Sequence, residues 1–219
     1  MSYRALDDVD NRIMCAVQKI GARDGVQNVT AKKIAAECDI SDFAVFAHFG
    51  TKKGYLDAAK DMFYNRYISM MAELEKRNCT LENTWDYILD DFVNNSDGPL
   101  YYSSYIATFG IDAEYQKQRV NDFLPHARRL LSCEPELTDD DLIMIWDYMT
   151  NVILYYAGMF ARKQLEYNDN NRNIIKRTSF FGLGGHGIVG HDKTIPKTTN
   201  NQMTAIYTGF GNPKPYGKS

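Results

Sequence analysis

The segment from Thr30 to Leu56, TAKKIAAECDISDFAVFAHFGTKKGYL, constrains the fold more than any other part of this sequence. The Thr30 hydroxyl is placed to cap a helix. The spacing of the next apolar residues puts them on one narrow face of that helix, and they are Ile34, Ala35 and Cys38. Ile40 and Ser41 then interrupt the pattern, Ile40 as an apolar plug and Ser41 as the next cap. The pattern predicts two short helices that meet at a tight turn.

The second of these helices is expected to run from Asp42 to about His48. Val45 and Phe49 are four residues apart and face inward with Ile40. The remaining positions lie on or near the outer surface: Asp42, Phe43, Ala44, Phe46, Ala47 and His48. A short helix with so many outward residues can enter a DNA major groove while the preceding helix braces it.

These residues make the chain resemble the tetracycline-repressor (TetR) family of transcriptional regulators. The resemblance extends from about Ile13 to Leu56. The matching features are Gly25 at the end of a first amphipathic helix, Thr30, Ile34-Ala35, Ile40-Ser41, the run Phe46-Ala47-His48-Phe49, and Thr51-Lys52 with Leu56. The chain departs from the family at Phe46, where tyrosine is usual, and at Phe43, where a small residue is usual. We therefore expect one phosphate contact to be missing and the base preference to be unusual.

The resemblance implies a role in DNA binding for individual positions. Those expected near base edges are Lys32, Asp42, Phe43, Ala44 and Ala47. Those expected at the phosphate backbone are Thr30, Ser41, Phe46, His48 and Lys52. A carboxylate can accept from a cytosine amino group, and an apolar side chain can pack on a thymine methyl, so a reading helix without arginine is chemically feasible. The segment from position 30 to position 53 contains four lysines and three acidic residues, so its net charge is small. This predicts that each subunit attracts phosphate only modestly.

Composition and length are compatible with this reading. The chain has 219 residues, a net charge of −3 and a pI near 5.8, which argues against a generally basic nucleic-acid coat protein. It contains no apolar run of eighteen residues and no leader-like N-terminus, so we expect a cytoplasmic protein without a membrane partner. The four cysteines are scattered, and His186 and His191 have no nearby cysteine or carboxylate partner beyond Asp192, so no metal or other cofactor is expected. Without a nucleophile and base pair, we expect no enzyme activity.

The fold class predicted is all-α, with three parts. Residues 1–55 form a helix-turn-helix DNA-binding domain, residues 56–181 a helical effector-binding and dimerisation bundle, and residues 182–219 an irregular Gly/Pro-rich basic tail. The later helices are expected at residues 52–76, 81–95, 99–109, 113–132, 139–166 and 168–181. Pro125 is expected to kink the 113–132 helix, and Thr138 with three following aspartates marks a helix start.

The segment from Leu142 to Phe160 is apolar on more than one face, as a helix would be if it packed on its own subunit and on a partner. The family resemblance implies that the last two helices form a four-helix dimer interface, which would match a palindromic operator. The candidate interface residues are Ile145, Met149, Ile153, Tyr156, Met159, Phe160, Ile174, Phe180 and Phe181. The alternative for each of them is the core of a single subunit.

Aromatic residues are concentrated in the middle of the chain, and a helical bundle lined in this way can hold a flat or apolar small molecule. The candidates for an effector pocket are Trp85, Phe92, Tyr101, Tyr102, Tyr105, Phe109, Trp146 and Tyr155. Their alternative role is ordinary core packing. The sequence does not identify the effector.

Two functions remain open at this point. The first is a ligand-responsive transcription regulator, acting as a repressor, that binds a palindromic operator as a homodimer and is released by a small molecule. The second is a helical ligand-binding or protein-interaction module of the same fold with weak or lost operator binding. Phe43, Phe46 and Asp42 favour the second.

Overall fold

The computed structural model describes residues 3–131 and 137–184, with side chains for residues 8–131 and 137–180. Nine α-helices and a short 3-10 turn at Val26–Asn28 account for the regular structure of these residues, and no strand occurs among them. The helices are α1 (Tyr3–Asp24), α2 (Ala31–Cys38), α3 (Asp42–Phe49), α4 (Lys52–Lys76), α5 (Leu81–Asn94), α6 (Asp97–Phe109), α7 (Ala113–Leu131), α8 (Asp139–Ala161) and α9 (Asp169–Gly184). The all-α prediction is confirmed.

Hydroxyl side chains begin most of these helices. Thr30 and Ser41 accept from backbone N–H groups of α2 and α3, and Thr51 and Thr80 do the same for α4 and α5. Thr138 forms a capping box at the start of α8, where its hydroxyl accepts from the Asp141 N–H and Asp141 accepts from the Thr138 N–H. The cap positions predicted from sequence are therefore confirmed.

Three boundaries differ from the prediction by two residues or more. Helix α9 was expected to end at residue 181, before an irregular tail from residue 182, but it continues to Gly184. Helix α8 was expected to reach residue 166 but ends at Ala161, because Lys163 adopts a left-handed conformation (φ 56°) and the chain turns there. Helix α6 begins at Asp97, so that Pro99 lies in its first turn, where proline is tolerated. Helix α7 continues through Pro125 as one element.

The buried residues form two hydrophobic clusters. One joins α1, α2 and α3 to the first turns of α4, and we call this part the head. The other lies among α4, α5, α7, α8 and α9, and we call this part the bundle. Helix α6 contributes to both: Tyr101 is buried in the head cluster, whereas the neighbouring Tyr102 packs on the bundle cluster.

Several hydrogen bonds fix α6 and α4 to the head. The Tyr101 hydroxyl donates to the Leu56 carbonyl at 2.7 Å, and the Val26 N–H donates to Ser104 Oγ at 3.1 Å. The Gln18 side chain donates to the Ala59 carbonyl at 2.8 Å. Helix α6 is therefore a second structural link between head and bundle, in addition to the continuous helix α4.

Helix α9 is held against α5 by ion pairs. Lys176 Nζ lies 2.5 Å from an Asp86 oxygen, and Arg172 lies 3.1 Å from Asp90. Each helix of the described part of the chain is too short or too polar to cross a bilayer. The described cysteines Cys15, Cys38 and Cys79 are free thiols. Cys133, His186, His191 and the predicted tail beyond Gly184 lie outside the described residues.

Candidate functional site

The turn between α2 and α3 is built by backbone geometry and one buried contact. Asp39 adopts the left-handed conformation (φ 52°), and the Ile40 N–H donates to the Ala35 carbonyl at 3.1 Å. Val45 on α3 is fully buried, and Ile40 and Phe49 pack partly buried beside it. Arg12 of α1 donates to the Cys38 carbonyl at the end of α2. Helix α3 is thus fixed by its inner face, as the sequence predicted.

The outer face of α3 is open and has few polar groups. Phe43 is the most exposed large apolar side chain among the described residues, at 78 %, and Phe46 is 43 % exposed. Asp42 and Ala47 are also exposed. One oxygen of Asp42 accepts from the Phe43 N–H at 3.0 Å, so the carboxylate is held close to the start of the helix. The face combines one carboxylate with apolar surface, which suits thymine methyls and cytosine amino groups.

The connection from α3 to α4 is unusually close. Gly50 has a positive φ of 72°, and the Gly54 N–H donates to Thr51 Oγ1 at 3.0 Å. A Cβ at Gly54 would lie 2.1 Å from the Phe49 carbonyl oxygen. Only glycine fits there without moving α3 relative to α4.

The four lysines between positions 30 and 53 fall into two classes. Lys33 Nζ lies 2.8 Å from Asp24, and Lys53 is paired with Asp57. Lys32 forms no ion pair with any described residue, and Lys52 donates to the Gln27 carbonyl at 3.0 Å rather than to a carboxylate. The two lysines that the sequence assigned to DNA are therefore the two whose charge no described carboxylate neutralises.

His48 was expected at the phosphate backbone, and the structure gives it a partner inside the protein. Its Nδ1 lies 2.5 Å from Asp10 Oδ1 of α1, and its side chain is 20 % exposed. The contact ties α3 to α1. Thr30 and Ser41 use their hydroxyls as caps, and Ala44 is partly buried.

The structure separates two faces of α8. Most of the residues predicted for a dimer interface are buried in the bundle of the same subunit: Ile145, Met149, Ile153, Phe160 and, on α9, Phe180. Tyr156, Met159 and Ile174 are partly buried, and the Phe181 side chain lies outside the described ones. Met144, Tyr148 and Tyr155 form an exposed apolar stripe at helical spacing, with 65 %, 47 % and 58 % exposure. These three are the large apolar side chains that α8 leaves exposed in this subunit.

The predicted effector residues do not form one group. Tyr155 and Phe109 are exposed, and Tyr101 and Tyr105 pack in the head cluster. The other four line two small cavities inside the bundle: Trp85, Phe92, Tyr102 and Trp146. These cavities have volumes of about 10 and about 20 Å³, roughly the space of one water each. A larger open groove of about 550 Å³ lies between α6 and α8 and includes Tyr155.

Several polar residues of the cavities had no distinctive sequence signal. Tyr67 and Thr150 lie in the walls of both cavities, and their hydroxyls are 3.2 Å apart. Burial raises the pKa of the Tyr67 phenol. Arg119 lines the larger of these two cavities, the one of about 20 Å³, and its Nη2 lies 2.5 Å from Asp147 Oδ1. Their periodic positions on α4, α7 and α8 would mark them as inward-facing, but polar residues at such positions are usually assigned to the surface.

The chain matches no family model, and no curated protein is similar to it in sequence. It is similar in structure to a TetR-family transcription regulator from Marinobacter aquaeolei VT8, with a TM-score of 0.66 and 13% identity over 81% of this chain and 97% of that one. A TetR-like regulator from Rhodococcus sp. RHA1 gives a TM-score of 0.61 and 16% identity, covering 81% and 96%. A structure reported as the molecular basis for control of antibiotic production by bacterial hormones gives 0.54 and 15%, covering 83% and 98%. The chain therefore has the fold of TetR-family regulators.

Proposed function

We propose that this protein is a ligand-responsive transcription regulator that binds a palindromic operator as a homodimer. In this proposal residues 1–55 contact DNA and residues 56–181 form the effector-binding and dimerisation part. The observation that carries it is the outer face of α3: Phe43 on it is 78 % exposed, and Lys32 and Lys52 of the adjoining helices have no carboxylate partner among the described residues. The fold shared with known regulators supports the same conclusion.

Recognition in this proposal divides between two kinds of contact. Phosphate attraction comes mainly from Lys32 and Lys52, because Lys33 and Lys53 are already paired within the subunit. Base preference comes from Phe43 and its neighbours on the outer face of α3. Two available lysines per subunit give a weak electrostatic contribution, so useful affinity requires both subunits of a dimer.

The dimer is proposed to form through the exposed stripe of α8, Met144, Tyr148 and Tyr155. A stripe of large apolar side chains on a helix that is buried on its opposite face is typical of an interface. A two-fold dimer places two α3 helices for two half-sites. Repression would end when an effector alters the bundle and the change reaches the head through α4 and α6, whose tyrosines pack in both clusters.

The second candidate is a ligand-binding or protein-interaction module with weak or lost operator binding. It is favoured by the exposed Phe43 and Phe46 and by the carboxylate of Asp42, which repels phosphate. A gel-shift assay at low salt, with DNA flanking its own gene and protein shown to be a folded dimer, separates the two candidates. Binding supports the regulator, and failure to bind any fragment rejects it.

A pair of variants tests the division of roles. Lys52→Ala should weaken binding to all members of a small operator library by a similar factor and reduce the salt dependence, because it removes one phosphate contact. Phe43→Ala should instead change the preferred sequence. Lys53→Ala is the matched control, since Lys53 is paired with Asp57. The role assignment fails if Lys52→Ala alters preference while Phe43→Ala does not.

A further inference from the structure

Three buried polar atoms around one cavity of the bundle have no hydrogen-bond partner among the described residues. They are Thr84 Oγ1, Trp85 Nε1 and Trp146 Nε1. The three side chains belong to α5 and α8, all are at least 97 % buried, and all three residues line the smaller cavity. A buried polar group without a partner costs free energy, so three around one cavity indicate a site for a complementary group.

The donor pattern defines the complementary group. An indole N–H can donate but cannot accept, and a threonine hydroxyl can donate as well. The group that satisfies all three must therefore be an acceptor. The other polar residues in the wall, Tyr67 and Thr150, are already within hydrogen-bond distance of each other.

The charges around the cavity indicate whether this acceptor is charged or neutral. None of the residues lining the smaller cavity is charged at neutral pH, and the one titratable group among them, the Tyr67 phenol, has a pKa that burial raises further. The nearby Arg119, in the wall of the larger cavity, is paired with Asp147. A carboxylate bound beside the indoles would be buried without a cation of its own, which is strongly unfavourable. A neutral carbonyl has no such cost.

We propose that the effector is an uncharged, mainly apolar small molecule whose carbonyl oxygen accepts from Trp85 and Trp146, with Thr84 as a third donor. The proposal rests on the proposed function, because it names the ligand class of that regulator. The two cavities share the walls formed by Tyr67, Trp146 and Thr150, so separation of the Tyr67 and Thr150 side chains joins them into one pocket and leaves the Trp146 indole in place as a donor. The remaining lining is aromatic and aliphatic, which suits an apolar ligand body.

The sequence contains only two tryptophans, and both lie in this site. The test is therefore a ¹H–¹⁵N spectrum of the full chain labelled on tryptophan, in which the two indole N–H signals report the site alone. Three probes of nearly equal size are titrated: acetophenone carries a neutral carbonyl, ethylbenzene carries no acceptor, and benzoate carries a charged one. A probe that binds in the open α6–α8 groove leaves both signals in place, since neither tryptophan lines it.

Acetophenone should move both indole signals downfield in a saturable way and bind roughly tenfold more tightly than ethylbenzene, since one or two hydrogen bonds separate them. Equal binding of the two would overturn the proposal, because the donors would then contribute nothing. Tighter binding of benzoate would overturn the neutral class. Absence of any saturable shift would mean that the cavities accommodate water only, and the ligand site would be rejected.

Variants locate the effect. Trp85→Phe or Trp146→Phe should reduce the preference for acetophenone over ethylbenzene severalfold and leave the affinity for ethylbenzene nearly unchanged, with the remaining indole as the reporter. Thr84→Val is nearly isosteric and serves where a tryptophan variant does not fold. Tyr87→Phe, on the exposed side of α5, is the control and should change neither affinity. An unchanged preference in all three site variants would overturn the assignment.

The titration uses protein without DNA, so it separates this inference from the proposed function. Probe binding without any operator binding would keep the ligand site and reject the regulator. Operator binding with no response of the indole signals would do the reverse.

Discussion

Replacing Gly54 by alanine should destabilise the protein, although alanine is normally the better helix former. Gly54 lies in the first turn of α4, and an added Cβ there would be 2.1 Å from the Phe49 carbonyl oxygen, whereas real Cβ contacts below 3.0 Å are essentially never seen. The end of α3 must therefore move away by about 0.9 Å. Because the contact is with backbone, no side-chain rotation can relieve it.

The magnitude follows from two opposing effects. Exchange of glycine for alanine in a helix is favourable by up to about 1 kcal/mol, and less in a first turn. Overpacking of a tight contact costs roughly 1–3 kcal/mol, so the net free energy of unfolding should fall by about 1–2 kcal/mol. Since the shift displaces α3, affinity for DNA should fall further than the loss of stability accounts for.

Gly158→Ala is the matched control in another helix. Its nearest neighbour would be Leu100 Cδ2 at 3.1 Å, the end of a flexible side chain. This variant should be neutral or slightly more stable than the parent. Urea denaturation followed by circular dichroism measures both proteins. The reasoning would be refuted if Gly54→Ala were as stable as the parent, or if the two variants changed stability by the same amount.

Three more predictions concern other parts of the molecule. Met144→Glu or Tyr148→Glu should weaken the proposed dimer at least tenfold in sedimentation equilibrium. Because both side chains are exposed on the subunit, its helical circular dichroism should not change. An intact dimer would reject the interface. Tyr105→Phe removes the hydrogen bond that the Tyr105 hydroxyl donates to Asp57, and should lower the free energy of unfolding by about 1 kcal/mol. An unchanged free energy of unfolding would show that this link between α6 and α4 does not stabilise the fold. Burial lowers the pKa of His126 below its ordinary 6.5. The stability that the neutral side chain contributes is therefore present above about pH 6.5 and declines as the pH falls through the lowered pKa. In His126→Gln, the free energy of unfolding measured against pH should be flatter over that range.

The features predicted correctly from sequence are local ones. The caps at Thr30, Ser41 and Thr138 and the inward position of Val45 depend on residues within one or two turns of the same helix. The end of α8 is the boundary that was predicted least well. It was placed at residue 166, five residues beyond Ala161, because the helical pattern of the sequence continued that far. The observed end is set by the left-handed conformation of Lys163, which no strong signal such as glycine announced.

The candidate site divides in the same way. The outer face of α3 could be assigned from spacing, whereas the pairing of Lys33 and Lys53 with carboxylates could be seen only in the folded chain. The position of His48 beside Asp10 also depends on how α1 crosses α3. The spacing of residues in the sequence shows which side chains share one face of a helix. It does not show which residues of other helices those side chains contact.

The sequence by itself determined that this protein is a set of capped helices with a helix-turn-helix near its N-terminus, because capping and helical periodicity are short-range. Only the tertiary structure decided which face of α8 is buried, and so moved the proposed dimer surface to Met144, Tyr148 and Tyr155. It also brought Thr84 and Trp85 to the same cavity as Trp146, which is far away in the chain. Such convergence depends on how the helices pack against one another, and the free energy of that packing is spread over contacts between residues distant in sequence.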